Sequence, residues 1–414
     1  MVSLQPVRGT QDLLPPEQRR HRFVVETARA IAERYGYGEI ATPIFEFTEV
    51  FARPIGETTD IVQKEMYTFH DRGGEEITLR PEYTAGIVRA VISNGLTQSL
   101  PLKLFASGPM FRYERPQKGR FRQFHQIDVE LIGVAQPLGD IEVIALGAEI
   151  LDALGVLSKT ELEINTLGDT LSRHAYRAAL VDYYGRHRGD LSEDSLNRLE
   201  RNPLRILDSK DPSDKRINAD APSFADYLTE DARQFFAAVL AGLDRVGIAY
   251  RLSPRLVRGL DYYCHTAFEF VTTALGAQGT VLGGGRYDGL MGVMGGPETP
   301  GVGWAAGIER LALLVAEPPP PPRPIAIVPL GAAAEETALT LAHELRRFGF
   351  AIDLGYSGNL RRRLSRADKI KARAAIILGD NELVRRVATL RDLDTGEQIE
   401  VPLDALRERL QAFR

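Results

Sequence analysis

The chain has 414 residues, 44% hydrophobic and 26% charged, with a formal net charge of −5. That length predicts two or three domains rather than one, and the composition excludes general disorder. No uncharged apolar run reaches the ~18 residues that a membrane span requires, so no membrane partner is expected.

The opening MVSLQPVRGTQDLLPPEQRR lacks an apolar core followed by a small-residue cleavage site, so no secretory signal is expected. A single cysteine, Cys264, cannot form an internal disulfide, and no Cys/His spacing resembles a zinc site. A cytoplasmic location is expected. A first helix is predicted over about 16–35, where Val24, Ala28, Ile31 and Tyr35 form one apolar stripe and Pro16 suits the first turn. Strand-like runs follow to about residue 135 and resume over 249–303. Between them, about 167–230 is polar and helix-leaning, and reads as an inserted module. Ile308, Leu311, Ala312 and Val315 predict the stripe of another helix.

Glu317 is followed by five prolines, Arg323 and Pro324, a stiff spacer that sets a boundary at 317–323. Beyond it, 324–414 reads as strand (325–330), helix (335–348), strand (351–354), basic helix, strand (374–378), then a final strand and helix. That alternation predicts a small α/β domain. It holds 15 Lys and Arg against 13 Asp and Glu, a net of +2, which leaves −7 for the remainder. Its cluster Arg361, Arg362, Arg363, Arg366, Lys369, Lys371 and Arg373 reads, on charge alone, as a solvated helix face.

The chemistry concentrates in 102–133, LKLFASGPMFRYERPQKGRFRQFHQIDVELIG. The turn Pro116-Gln117-Lys118-Gly119 between alternating stretches predicts an antiparallel hairpin. Period-two alternation places Arg112 and Glu114 on one face of its first strand. On the second strand, Phe124, Gln126, Asp128 and Glu130 share a face. Such a face is a poor core, because burying these groups unpaired costs several kcal/mol each. It is either a floor for a small polar ligand or an exposed face balanced by its own ion pairs. Gly303, Gly307 and Arg310 fall on one face of the later helix. Helix-packing glycines with a surface arginine are the ordinary account, and close approach to a phosphate is the functional one.

These two segments, with Arg34-Tyr35-Gly36-Tyr37-Gly38-Glu39-Ile40-Ala41-Thr42-Pro43, resemble the three signature motifs of class II aminoacyl-tRNA synthetases. Leu256-Val257-Arg258-Gly259-Leu260-Asp261-Tyr262-Tyr263 and Gly283-Gly284-Gly285-Arg286-Tyr287-Asp288-Gly289-Leu290 are similar to the histidine-specific motifs of the histidyl-tRNA synthetase family. The resemblance covers essentially the whole chain. It implies an α+β catalytic core on a mostly antiparallel sheet over 1–323, interrupted by a helical insertion at 167–230. A C-terminal α/β anticodon-binding domain over 324–414 is implied with it.

The same resemblance assigns expectations to positions. Arg112 would grip the α-phosphate of ATP, Glu114 read the adenine edge, Phe124 stack on adenine, and Arg310 hold the γ-phosphate. Arg258 would approach the α-phosphate and the attacking carboxylate. Glu82, Thr84 and Gln126 would surround the ammonium group of L-histidine. Glu130 and Tyr263 would bond the imidazole nitrogens, with Tyr262, Arg286 and Tyr287 in the same pocket. A carboxylate and a phenol suit the one donor and one acceptor of neutral imidazole. The turn at Gln117, Lys118, Arg120 and Arg122, and the basic helix with Arg361, Arg362 and Arg366, would meet tRNA(His). Mg²⁺ would accompany ATP, with no residue assigned to a metal, and the chain would form a homodimer. Tyr83, where the family often has glycine, and Cys264, where a small polar residue is frequent, depart from the pattern. The competing reading is a noncatalytic synthetase-like regulatory subunit of ATP phosphoribosyltransferase. The terminal domain and the retained Arg112, Glu130, Arg258 and Arg310 weigh against it.

Overall fold

The computed structural model describes residues 4–56, 59–117, 119–207, 209, 211–276 and 279–414. Lys118 of the expected tRNA-binding turn lies outside them. The chain divides after Pro318 into two units. In the first, the N-terminal stripe becomes helix α1 (Pro15–Arg34), which buries Val24, Ala28 and Ile31. It begins at a proline, where an amide N–H would have no helical partner anyway. Then come β1 (Gly38–Glu39), β2 (Phe45–Phe47), α2 (Glu49–Ile55), β3 (Tyr67–His70), β4 (Glu76–Leu79) and α3 (Thr84–Ser93). The hairpin β5 (Leu102–Phe111) and β6 (Gln123–Ile132) leads to α4 (Pro137–Ala153) and β7 (Glu161–Thr166). Helices α5 (Thr170–Arg186), α6 (Glu193–Arg201), α7 (Pro212–Asn218) and α8 (Glu230–Arg245) follow. The unit closes with β8 (Arg251–Leu252), β9 (Cys264–Val271), β10 (Thr280–Arg286), α9 (Leu290–Val293), β11 (Gly301–Gly307) and α10 (Ile308–Leu314).

Eight strands make one sheet in the order β1-β5-β6-β11-β10-β9-β7-β8. The outermost pairs, β1/β5 and β7/β8, run parallel and every pair between them antiparallel, which is the expected α+β architecture. Alternation sorts its two faces. Ile127, Val129 and Leu131 of β6, with Val302, Trp304 and Ala306 of β11, join residues of α1, α4, α8 and α10 in the main core. Trp304 donates its indole N–H to the Val143 carbonyl of α4 at 2.8 Å, so this large ring is buried with its polar atom satisfied. On the other face stand Phe124, Gln126, Asp128 and Glu130 opposite the small Gly303, Ala305 and Gly307.

Two sequence expectations are corrected here. Strand β5 ends at Phe111, so Arg112 and Glu114 stand in the connection beyond it and not on a strand face. The Arg112 N–H still reaches the Arg122 carbonyl at 3.0 Å, but the Glu114 N–H turns back to the Arg112 carbonyl at 2.7 Å and breaks the extended run. Gly303 and Gly307 lie in β11, not in a helix, which begins only at Ile308. A side chain at Gly303 would strike the Glu130 carboxylate and the Val129 carbonyl across the sheet, and that close approach is what the glycine serves. The sequence Gly283-Gly284-Gly285 is likewise within a strand, β10.

The second unit holds β12 (Ile325–Pro329), α11 (Ala332–Arg347), β13 (Ile352–Leu354), α12 (Leu360–Lys369), β14 (Ala374–Leu378), α13 (Asp380–Val384), β15 (Val387–Asp392), β16 (Gln398–Pro402) and α14 (Leu406–Arg409). Its sheet runs β13-β12-β14-β15-β16, the first three strands parallel and the last two antiparallel. Two closing strands stand where one was expected. A turn joins them, built by Asp392, whose carboxylate accepts the N–H groups of Asp394 at 2.7 Å and Thr395 at 3.1 Å.

Candidate active site

One cavity of about 350 Å³ opens on the polar face of the large sheet. Its lining includes Arg112, Arg258 and Arg310, the acids Glu82, Glu114 and Asp128, and Thr84, Phe124, Gln126, Tyr262 and Tyr263. These residues come from α3, β6, α10 and three connections, so the sheet gathers groups spread over more than half of the first unit.

Backbone carbonyls hold two of the three arginines, and a carboxylate holds the third. Arg112 donates from Nε to the Pro81 carbonyl at 2.8 Å, and its guanidinium stands 5.4 Å from the centre of the Phe124 ring. Arg310, two residues inside α10, donates to the Thr280 carbonyl at 2.6 Å and the Gly119 carbonyl at 3.4 Å. Arg258 pairs with Glu269 on β9 and lies 5.5 Å from the centre of the Tyr263 ring. Glycine makes this possible, since a Cβ at Gly283 would come within 2.7 Å of the Arg258 guanidinium. Burial opposes the charge of all three. It lowers Arg112 and Arg310, the latter further depressed by Arg120 and Arg112, whereas Glu269, Tyr263 and Tyr262 together outweigh burial at Arg258 and leave it raised.

The acids sit deeper. Glu82 caps the first turn of α3, accepting the N–H groups of Thr84 at 2.7 Å and Ala85 at 2.9 Å. The Thr84 hydroxyl donates to Glu130 at 2.6 Å, and the Tyr287 hydroxyl donates to the other Glu130 oxygen. Glu130 therefore forms the base of the pocket beneath the lining residues, with Tyr287 behind it. Burial pushes the Glu130 carboxyl up to about 8, with Glu82 adding and the two hydroxyls opposing. Burial raises Glu82 as well, and raises Asp128 well above the usual carboxylate range, where Glu130 and Glu82 add to it.

Other expected site residues are placed as follows. Glu114 is buried and paired with Arg120, which also borders the cavity. Gln117 is exposed at the turn. Arg122 lies over the Tyr113 ring at 3.7 Å and donates to the Glu114 carbonyl at 3.2 Å, outside the cavity. Arg286 does not join the pocket. It is fully buried in an ion pair with Asp140 of α4 and donates to the Val134 carbonyl at 2.9 Å, so its donors are spent on the helix side of the sheet. On α12, Arg361 and Arg362 are exposed and Arg366 pairs with Asp353 at 2.8 Å. Arg363 of the same cluster is instead buried, bonded to the Pro329 carbonyl and to Glu335, because it faces β12. Tyr83 points away from the cavity, its hydroxyl accepting from Arg80 at 2.9 Å. The Cys264 thiol is pushed up to about 12 by burial and behaves as a packed small residue.

Sequence reasoning overlooked Glu269, which it never singled out, and gave Asp128 no role. The period-two pattern that exposed Gln126 and Glu130 was the signal available for Asp128. No local pattern ties Glu269 to Arg258.

The family model described as histidyl-tRNA synthetase matches residues 9–311, and one described as an anticodon binding domain matches 324–413. The chain is 61% identical over 414 residues, the full length of both, to the histidine–tRNA ligase of Rhodospirillum rubrum. It is 58% identical to that of Gluconacetobacter diazotrophicus, over 98% of each chain. The solved apo histidyl-tRNA synthetase of S. aureus superposes with a TM-score of 0.84 at 36% identity, covering 98% of this chain and 99% of that one.

Proposed function

This chain belongs to the histidyl-tRNA synthetase family, and on that premise we propose that it is a histidine–tRNA ligase working in two steps at the cavity described above. In the first, a carboxylate oxygen of L-histidine attacks the α-phosphorus of ATP, forming histidyl-adenylate as pyrophosphate leaves. In the second, the terminal ribose hydroxyl of tRNA(His) attacks the activated carbonyl and AMP leaves.

The observation that carries this reading is the meeting of Arg112, Arg258 and Arg310 with an acid-based pocket in one cavity. Negative charge builds at phosphorus during adenylation, and fixed guanidinium groups stabilise it without reorganising. Arg112 and Arg258 take the α-phosphate and Arg310 the γ-phosphate, while Phe124 and Glu114 receive the adenine. Glu82, Thr84 and Gln126 receive the ammonium group, and Tyr263 with Glu130 the imidazole. Tyr287 orients Glu130, and Tyr262 walls the pocket. Arg286 acts at a distance, by holding β10 to α4. ATP enters with Mg²⁺ held largely through its phosphates. Glu269 and Glu309, which border the same cavity, are the hard oxygen donors that suit that ion.

The second unit reads as the anticodon-binding domain, and exposed Arg361 and Arg362, with Arg366, are its candidate phosphate contacts. Gln117, Arg120 and Arg122 are the candidates for the acceptor end. The helices of 167–230 read as an insertion module within the 1–323 core, supported by their own cluster around Tyr176, Leu180 and Tyr184. The residues from 317 to 323 serve as linker. A homodimer is supported by the small sheet β2-β4-β3, where cross-strand pairing puts Phe45, Phe47 and Phe69 on one face with 56%, 57% and 46% of their surface exposed. A cytoplasmic location goes with the proposed tRNA substrate. Among the described residues no helix is long and apolar enough to cross a membrane. The regulatory-subunit reading has no use for the complete arginine set together with an anticodon-binding domain.

The test is amino-acid-dependent ATP–pyrophosphate exchange against a panel of amino acids. Histidine alone should support exchange. Exchange with another amino acid, or with none, refutes the reading.

A further inference from the structure

The proposed histidine pocket contains three buried carboxyl groups, and two of them have both oxygens engaged. Glu82 accepts from the Thr84 and Ala85 backbone, and Glu130 from the Thr84 and Tyr287 hydroxyls. Asp128 lies between Gln126 and Glu130 on the same face of β6, lines the cavity, and is only 1% exposed. Its Oδ2 accepts no hydrogen bond from any described residue, and neither does Oε1 of Gln126. Such an arrangement is costly, since a buried acceptor left without a donor loses ~1–3 kcal/mol, and more when charged.

The neighbourhood keeps this pair open, and no cation among the described residues hydrogen-bonds to Asp128 Oδ2 or Gln126 Oε1. Asp128 stands across from Ala106 of β5 and Ala305 of β11, two methyl groups that leave the carboxyl uncovered. The charged groups facing it are Glu130, Glu82, Arg80 and Arg112. Arg80 spends its donors on the Pro109 carbonyl, the Thr42 carbonyl and the Tyr83 hydroxyl. Arg112 is held by the Pro81 carbonyl. Two aligned acceptors on one strand face, with no positive partner bonded to them, form a seat for a small multidentate cation.

We propose that Asp128, with the amide oxygen of Gln126, receives the α-ammonium group of the amino acid, making Asp128 a specificity-determining residue of this chain. The inference rests on the proposed function and adds to it a counter-charge for the ammonium. An ammonium offers three donors, enough for Asp128, Gln126 and the edge of Glu82 together. Burial and the neighbouring acids favour the protonated form of Asp128, so the arriving cation ionises it and a proton is released.

The experiment compares wild type with Asp128→Asn, which keeps the shape and removes the charge. Binding of L-histidine, histidinol and imidazolepropionate is measured by calorimetry in two buffers of different ionisation enthalpy. Histidinol keeps the ammonium group and imidazolepropionate lacks it. Asp128→Asn should weaken histidine and histidinol by about 10- to 100-fold, the cost of a charge-assisted hydrogen bond, and reduce proton release. It should leave imidazolepropionate and the KM for ATP unchanged. Equal losses for all three ligands would assign Asp128 a structural role and overturn the inference. So would a variant that binds histidinol as well as wild type does. Wild-type protein that binds neither histidine nor histidinol overturns the proposed function, and this inference with it.

Discussion

Glu130 offers the sharpest handle on the histidine pocket, through Glu130→Gln and the pH dependence of binding. Its carboxyl, pushed up to about 8, is mostly protonated in the free protein near neutrality. A protonated carboxyl with neutral imidazole carries the same proton as a carboxylate with imidazolium, so binding near pH 7 takes up none at this site. Above about 8 the free protein loses that proton, and the pair must collect one to form. The Glu130 contribution to wild-type affinity then falls about tenfold, or ~1.4 kcal/mol, per pH unit. The glutamine variant lacks this limb. Asp128, Glu82 and the ammonium group of histidine titrate in both proteins, so the ratio of wild-type to variant affinity isolates Glu130. Calorimetric titration without ATP should find that ratio level up to about 8 and falling beyond it. A ratio that stays level to about pH 9.5, well past that limit, refutes the protonated-pair reading. Stability gives an independent check of sign. The folded pKa is raised, so the native state binds more protons than the unfolded chain between the ordinary Glu range and about 8. Glu130 must therefore contribute a loss of stability of at most ~1.4 kcal/mol per unit as pH rises through that window. That contribution levels off above the window, and in thermal unfolding Glu130→Gln should lose correspondingly less stability than wild type, since Glu82 and Asp128 titrate in both.

Arg258→Ala should reduce histidine-dependent exchange by roughly 100-fold or more while circular dichroism stays native, and unchanged exchange would remove Arg258 from the chemistry. Arg286→Ala leaves fully buried Asp140 without its partner and should cost ~3–5 kcal/mol in denaturant unfolding. If activity falls with stability untouched, Arg286 has a direct role in the pocket. Gly303→Ala drives a methyl group into Glu130 and should raise the KM for histidine more than that for ATP. Chain ending at Pro318 should keep exchange and lose transfer to tRNA, and surviving transfer would sink the anticodon-domain reading.

Much of this architecture was legible because local pattern and tertiary role agree. The period-two face of β6 marked Gln126, Asp128 and Glu130 together, since a strand can offer such a face only to a ligand or to solvent. The stripe of α1 and the proline spacer were equally plain. Misreadings arose where a partner far along the chain decides the outcome. Gly303 and Gly307 have the spacing of a helix face, yet pairing with β6 and β10 makes them strand residues. Arg286 sits within a family string beside Tyr287, but Asp140, 146 residues earlier, turns it to the opposite side of the sheet. Arg363 is indistinguishable in sequence from Arg361 and Arg362. Only the docking of α12 on β12 buries one and exposes the others.

The arrangement of charge explains why so many of these residues cannot be read as contributors to stability. Burial already disfavours Arg310, and Arg120 and Arg112 disfavour it further; Arg120 in turn is lowered by burial and by Arg112. Backbone carbonyls satisfy the hydrogen-bonding geometry of Arg112 and Arg310 but leave their like charges to repel across the cavity. In the deeper half, Glu82, Asp128 and Glu130 repel one another in the same way. A fold selected for stability alone would pair opposite charges throughout, as Arg258 with Glu269 and Arg120 with Glu114 do at the cavity wall. On the proposed function, each half is relieved by a ligand group of opposite sign, a polyphosphate among the guanidiniums and an ammonium with an imidazole among the acids. That proposal brings the reacting carboxylate and the α-phosphorus together at the seam between the two halves, where Arg258 stands.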